Sequence, residues 1–393
     1  MAQINFSPNT FAGTLDVNDI FKKLYVGNDI FRRQLMDIRT GVKSKTILRT
    51  LDVNPVFSTP SATFSSTTAV PDADERYLDP LTYEVRLELD ASNFTDTWET
   101  QFLAPGTLAD YEGESRLLLA MTDLILERSA HLNGALYMMG KSYNPTNLPF
   151  SGTYNGLIPS MVADSSVNTV LLTNTPAFSQ AITGITVGTT TVVAHASNTN
   201  IKVGDIVTFS TNVGGTTQIR GLSGRVLAAT GTATTVAIDS TGFGAWTSGG
   251  VINFINKSNV KDALDAVWSA TPLAVQMNPN VRIYLPHHIY EAYKRAEADT
   301  ASTNIKYSNG GDANDYFGYK IEKMVDFQSN CILVTNWDNL VLGIDIEADQ
   351  NNLNVTYSGA ITNDMVHRFR LSMKSCVNYI FPSQITIIKP ANV

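Results

Sequence analysis

Two stretches of this 393-residue chain carry residue types from which a binding or catalytic site is commonly built. Residues 214–226, GGTTQIRGLSGRV, put four glycines, two arginines and several hydroxyls into thirteen positions, the raw material of a phosphate cradle. A P-loop, however, closes on a Lys-Ser/Thr pair and opens a helix. Here Arg225 leads into Val226 and another β-like run, so no helix follows for a dinucleotide fold either. The glycines are expected as turns. GLSGR misses a nucleophile elbow by one residue. His287 and His288 are adjacent, whereas zinc ligands sharing a helix face stand further apart; they are expected at a helix N-terminus. His131, His195 and His367 each stand alone and read as structural. DADE (72–75) reads as a solvated loop, and NGGDAND (309–315), without the spaced oxygens and closing Glu of a calcium loop, as a turn. The sequence thus nominates no catalytic residue, no cofactor-binding residue and no metal ligand. The expectation is a protein that is not an enzyme and needs no cofactor.

Charged residues are only 16% of the chain, with Thr, Ser, Asn and Gly in their place, a surface suited to extended protein contacts. The net charge of -8 argues against a surface that grips nucleic acid all over. The charge is unevenly placed. Lys22 to Arg49 holds eight Lys/Arg against two Asp, and Thr50 to Glu99 holds ten Asp/Glu against two Arg. Complementary neighbouring segments can register one copy of a chain against another. Two ordinary solvated surfaces would show the same pattern. With only Cys331 and Cys376, no disulfide framework is implied and a reducing cytoplasm is suitable. MAQINFSPNTFAG has no basic start followed by an apolar run, so no secretion signal is expected. No apolar run approaches the ~18 residues of a membrane span.

The first hundred residues read as extended, apart from one short amphipathic helix around VNDIFKKLYVGNDIFRRQL; four prolines and a Ser/Thr run between 52 and 80 make a long arm or loop. LTYEVRLELD alternates in period two, as a strand does. EGESRLLLAMTDLILERSAHLNGALYMMGKSY places Leu117, Met121, Leu124, Leu132, Ala135 and Met139 at three- and four-residue spacing, a spine of roughly 40 Å at 1.5 Å per residue. From Ser165 to Ile201 no Asp, Glu, Lys or Arg occurs, and short Val/Ile/Thr runs broken by glycine continue to TSGGVINF. This is an all-β module, and mixed α/β sequence on both sides makes it an insertion. Ser258 is the expected N-cap of a helix that Pro272 stops, and Pro286 opens another. Phe369, Leu371, Met373, Ser375, Val377, Tyr379 and Phe381 alternate with Arg368, Arg370, Ser372, Lys374, Cys376, Asn378 and Ile380 in the longest strand.

The order of basic arm, extended loop, spine helix, YNGLIPS, helix, strand, helix and closing long strands resembles the major capsid proteins of tailed double-stranded DNA phages, the Hong Kong 97-type fold. In YFGYKIEKMVDFQSNCILVTNWDNLVLGIDIEAD, Phe317, Gly318, Ile321, Ile332, Thr335, Asn339, Leu340, Gly343 and Asp345 stand where that family's F-G-x-x-I…I-x-x-T…N-L-x-x-G-x-D run expects them. LTYEVRLELDASNFTDTWE and NVRIYLPHHIYEAYKRAEAD are similar to capsid proteins of crAss-like phages. The inserted module is similar to the small β domain related to the first catalytic cysteine half-domain of ubiquitin-activating enzymes, through Val203, Gly204, Asp205, Val207, Gly221, Val226, Asp239, Phe243, Gly249 and Gly250. It contains no cysteine, so no ubiquitin chemistry is implied.

The resemblance implies an α+β fold with an N-terminal arm at 1–50, an extended loop at 51–99, a P domain at 100–180 with its spine helix at 114–140, the inserted module at 181–255, an A domain at 256–345 and P-domain return strands at 346–393. It implies a virion protein that self-assembles into hexamers and pentamers of an icosahedral shell. The partners implied are itself, a portal, auxiliary or scaffolding proteins, and packaged double-stranded DNA, with no membrane and with assembly in the host cytoplasm. No long acidic helical segment precedes the arm, so a separate scaffolding protein, or none, is expected. Lys43, Lys45 and Arg49 are expected to meet Asp72, Asp74 and Glu75 of a neighbour, and Arg32 and Arg33 to face DNA. An encapsulin-like compartment shares the fold, and a tail or fibre protein with a glycan-binding β module is the rival from another class.

Overall fold

The computed structural model describes residues 28–52, 72–90, 116–140, 154–171, 177–210, 212–301, 315–316, 318–324, 330–345, 353–357 and 366–389. Its strands are, in chain order, β1 (Asp37–Thr40), β2 (Thr46–Asp52), β3 (Asp72–Leu78), β4 (Leu81–Asp90), β5 (Asn168–Leu171), β6 (Ser179–Thr186), β7 (Thr191–His195), β8 (Ile206–Phe209), β9 (Ser223–Ala229), β10 (Ala233–Val236), β11 (Val251–Phe254), β12 (Val281–Pro286), β13 (Asp315–Tyr316), β14 (Tyr319–Met324), β15 (Ile332–Asn336), β16 (Leu340–Ile344), β17 (Leu353–Tyr357), β18 (Val366–Tyr379) and β19 (Thr386–Lys389). The longer helices are Arg116–Met139, Val260–Ala270 and His287–Ala301. The fold is α+β with an inserted all-β module.

β18 organises the first sheet. Its 14 residues pair with β4 along one edge, and with β17 and then β16 in tandem along the other. β1 adds to β16 in parallel, Asp37 opposite Val341, so residues near the chain's start close a sheet made of its end. Phe369, Leu371 and Met373 are buried and Arg368 and Arg370 exposed, as the alternation requires. Beyond Ser375 the alternation breaks. Cys376 is buried too, because Val42, Leu48, Leu78 and Val341 cover the second face there.

The spine helix packs on this sheet and on the short helix Leu157–Ala163; of the apolar stripe of the sequence Ala135 is buried and Met139 packs on the core, but the contact face departs from that stripe at Leu124. Leu124 is exposed, and the face turned inward runs through Leu126, Ser129, Ala130, Asn133 and Tyr137. Small and polar residues serve because partners approach closely. Asn133 accepts from the Tyr83 hydroxyl at 3.2 Å and its amide faces Met373 Sδ at 3.4 Å. Where the helix ends, a Cβ on Gly140 would lie 2.1 Å from the backbone nitrogen of Gly156, and Gly140 has φ +55. This contact sets how the Leu157–Ala163 helix turns back on the spine.

The second sheet runs β13-β14-β12-β15-β19-β5. It takes β5 and β19 from outside residues 256–345, so the two sheets share one core through Tyr284, Leu333, Leu340, Leu371, Ile385 and Ile387. The helices Val260–Ala270 and His287–Ala301 bury Val260, Leu264, Val267, Ile289 and Tyr293 against it. The first is capped by Asn259 rather than Ser258, and Pro286 ends β12 with the helix beginning at His287.

β6 to β11 close into a six-stranded barrel around Val193, Phe209, Val226, Ile252 and Phe254. Its first and last strands are antiparallel neighbours, Asn253 opposite Ser179. The chain therefore leaves the barrel beside where it came in, which is the geometry of an insertion.

Candidate assembly surfaces

Of the glycines of residues 214–226, Gly214, Gly215 and Gly221 lie in loops and turns of the barrel, whereas Gly224 stands inside strand β9. Gly215 and Gly221 have φ +77 and +71, and Gly224 lies beneath Val236 and Ile238. His195 is buried between Ala196 O and Thr234 Oγ1, both at 2.8 Å, a structural histidine. The side chain of His367 and most of NGGDAND (309–314) lie outside the described residues. DADE is not a loop: Asp72–Leu78 is a strand paired along its whole length with β2.

Among the described residues, that β2–β3 ribbon is a sheet of two strands. Its register sets Arg49 opposite Glu75, and Arg49 Nε lies 3.4 Å from Glu75 Oε1. Lys45 Nζ sits 4.1 Å from the centroid of the Tyr77 ring. Of the basic and acidic residues expected to meet between copies, Arg49 and Glu75 already meet within one chain, because antiparallel pairing brings them face to face. Asp72 and Asp74 lie toward the far end, opposite Asp52 and Thr50. Lys43 offers its carbonyl to Lys374 Nζ.

Two polar clamps hold the ribbon and the arm to the body. At the ribbon base, Arg76 stacks 4.4 Å from the Tyr379 ring centroid and donates to Asp164 Oδ2 at 2.7 Å, and the Tyr379 hydroxyl donates to the same oxygen at 2.7 Å. Burial would raise the Asp164 pKa, but these donors and the backbone amide of Ser166 hold it at about 2. At the arm, Glu322 is fully buried and meets Arg33, Arg282 Nη1 at 3.4 Å and Lys320 Nζ at 2.8 Å. Arg33 also donates to Lys323 O at 2.7 Å, and Tyr284 to Leu35 O at 2.7 Å. Arg33, expected to face DNA, is spent on this internal contact; Arg32 is exposed and pairs with Asp29.

The third junction joins the barrel to the second sheet. The Asn330 amide donates to Ile206 O, Thr208 Oγ1 and Asn253 O at 3.1, 3.1 and 2.9 Å, and its oxygen faces His288 Nε2 at 3.2 Å. Asn259 bridges Ala177 O and Phe254 O at 2.5 and 3.2 Å. Above this seam opens a cleft of about 1010 Å³ between the barrel and the His287–Ala301 helix. Lys202, Arg225, Lys257, Lys261 and Arg295 line it, against the carboxylates of Asp205 and Glu291. Asp205 is tied to Asn256 at 2.7 Å, and burial pushes its pKa up. No local motif marks the cleft, since its cations come from four separate segments.

No family model and no curated protein matches the sequence. Among solved structures, the chain is similar to the capsid of a native GTA particle at 12% identity, over 91% of this chain and 89% of that one, with TM-score 0.44. It is similar to the satellite phage P4 procapsid that includes the size determination protein at 9% identity, over 95% and 99%, with TM-score 0.44. Gordonia phage Cozz matches at 12% identity over 93% and 87%, with TM-score 0.44.

Among the described residues no three of His, Cys, Asp and Glu converge on a metal-sized site. The polar groups of the clamps bind one another, which is the arrangement of joints rather than of a reaction centre.

Proposed function

We propose that the chain is a virion structural protein of the Hong Kong 97 type, the major capsid protein of a tailed phage, which self-assembles into hexamers and pentamers of an icosahedral shell around double-stranded DNA. The observation that carries this reading is the β2–β3 ribbon. A two-stranded ribbon is marginal in water by itself; among the described residues this one is anchored through Leu48 and Leu78 near its base and exposes Ile47 and Tyr77. Such an element is completed by a neighbouring copy. Modest contacts repeated around a ring add up, because each is made at high effective concentration once a subunit is tethered.

The arm, closing its sheet from the opposite end of the sequence, and the rigid spine are further support, since a shell subunit must transmit load between its edges. The crAss-like affinity, the relation of the barrel to the ubiquitin-activating half-domain scaffold, a portal, auxiliary or scaffolding partners and assembly in the host cytoplasm belong to the same reading. Exposed Arg32 remains a candidate for non-specific DNA contact. Negative-stain microscopy of the purified protein tests the proposal: rings or closed shells are expected, and monodisperse monomers at high concentration would refute it.

A further inference from the structure

We propose that the cleft between the barrel and the His287–Ala301 helix is a binding site for a compact polyphosphate, a small anion of several negative charges. The site does not depend on assembly, since all of its residues belong to one chain. Lys202, Arg225, Lys257, Lys261 and Arg295 line it against only two carboxylates, Asp205 and Glu291. Both carboxylates are already engaged. Asp205 Oδ2 accepts from Asn256 Nδ2 at 2.7 Å and from Lys202 N at 2.9 Å, and Glu291 pairs with His287 at 3.1 Å and with Arg295 at 3.5 Å. Among the described residues, no carboxylate comes within ion-pair distance of the Lys202 ammonium or the Arg225 guanidinium. Positive charge is therefore left over inside a concave wall of protein, where its field is focused rather than dispersed in water.

The cations stand on a prepared frame. Arg225 lies opposite Ile206 in the β8–β9 register, Gly204 N donates to Val226 O at 2.9 Å and Val226 N to Asp205 O at 2.8 Å. The turn that bears Lys202 is thus fastened to the strand that bears Arg225. The guanidinium lies over that turn: a Cβ on Gly204 would stand 3.8 Å from Arg225 Nη2. Buried Asn256 ties this wall to the segment that opens the Val260–Ala270 helix and carries Lys257 and Lys261. Its amide donates to Asn200 O at 2.8 Å as well as to Asp205, and its oxygen accepts from Ser258 N at 3.1 Å and Ser258 Oγ at 2.7 Å. Binding does not have to order the backbone beneath the cations, a cost that weakens flexible sites.

The lining selects the class of anion. No Phe, Tyr or Trp lines the cleft, so a nucleobase finds no platform on which to stack. Of the apolar lining residues only Val203 is exposed, whereas Ile206, Ile255, Ala292 and Ala296 are buried. An acidic peptide therefore finds no pocket for its side chains. What the cleft offers is charge: an Arg fork that matches phosphate oxygens, and Lys ammonium groups that act as point charges. A polyphosphate held there bridges the barrel to the His287–Ala301 helix and keeps the seam closed.

Isothermal titration calorimetry of the full chain with inorganic tripolyphosphate tests the site. Saturable binding of a single anion per chain is expected, about tenfold tighter than inorganic phosphate and weaker as salt is raised. Lys202→Gln with Arg225→Gln, both at exposed positions, is expected to weaken it about tenfold, as loss of two charge-assisted contacts should. Arg368→Gln, at an exposed cation of β18 outside the cleft, should leave it unchanged. On binding, amide exchange is expected to slow at residues 199–206 and 257–261 but not in β2 and β3. Absence of saturable binding, or an equal loss in Arg368→Gln, would overturn the proposal. So would a single-stranded oligothymidylate that binds at least as tightly at equal phosphate concentration, since the cleft would then belong to nucleic acid.

Discussion

Arg76 donates to Asp164 Oδ2 at 2.7 Å across 88 residues of sequence, fixing the base of the ribbon to the residue that ends the Leu157–Ala163 helix. Tyr379 completes the joint from β18 by sharing the same acceptor oxygen. Burial first, and then the neighbouring Asp164, pushes the Tyr379 hydroxyl up to about 12, so it remains a donor at every physiological pH. One carboxylate thus gathers three segments that are remote in sequence.

Replacing Asp164 by Asn removes the charge but keeps the shape. A loss of about 1.5–3 kcal/mol is expected, the usual worth of a hydrogen bond to a charged group, with faster amide exchange in β2 and β3. Because the folded pKa of about 2 lies below the ordinary carboxylate value, the stabilisation is complete above about pH 4 and is lost as pH falls through 2. Denaturant titrations at pH 5, 3.5 and 2.5 check the slope, which should flatten in Asp164→Asn.

The seam under the barrel should respond at milder acidity. His288 is driven down to about 4, first by burial and also by neighbouring His287, while the Asn330 hydrogen bond and Glu291 act the other way. The unfolded chain takes up this proton near pH 6.5 and the folded one only near 4, so stability present above 6.5 falls as pH drops toward 4. Barrel amides next to the seam are expected to lose exchange protection between pH 7 and 5, and His288→Gln to remove most of that dependence.

Patterns confined to one element were readable before the structure. The alternation of β18 places Phe369, Leu371 and Met373 correctly, and the charge-free run after Ser165 announces the barrel's small, hydroxyl-rich strands. Where a face is chosen by a distant partner, local pattern misled. The spine turns Ser129 and Asn133 inward and leaves Leu124 exposed, because Tyr83 and Met373 approach that side. Ser258 and Asn259 are equally good caps by type; Asn259 holds the position while its amide reaches Ala177 and Phe254. The clamps and the cleft were invisible because Arg33 and Glu322 are 289 residues apart, and spacing along the chain carries no trace of such a pair.

Glu322 and Arg33 should not contribute equally to the arm anchor. Losing the carboxylate leaves Arg33, Arg282 and Lys320 facing one another without a counter-charge, whereas losing Arg33 leaves Glu322 with two cations. Glu322→Gln is therefore expected to cost about 3–5 kcal/mol, the range for breaking a buried pair, and Arg33→Met clearly less. Limited proteolysis of the arm, read beside urea unfolding, orders the two; equal effects would mean that the cluster does not anchor the arm.

The barrel should be separable from the rest. Phe178 and Ile255 flank it and belong to the core of the neighbouring sheet, and Phe254 N donates to Phe178 O at 2.9 Å, so the chain ends at the cut are adjacent. A fragment spanning residues 177–256 retains all six strands, their apolar centre and the Asp205–Asn256 bond. It is expected to unfold as a single cooperative unit by circular dichroism, since closure removes every exposed sheet edge. The complementary deletion of residues 179–254 removes the three acceptors of the Asn330 amide together with the barrel that covers it, so water takes their place and the loss from this amide should stay within about 1 kcal/mol. Adding Asn330→Leu to that deletion is therefore expected to bring no recovery in thermal unfolding. A large recovery would mean that the amide stays buried without the barrel.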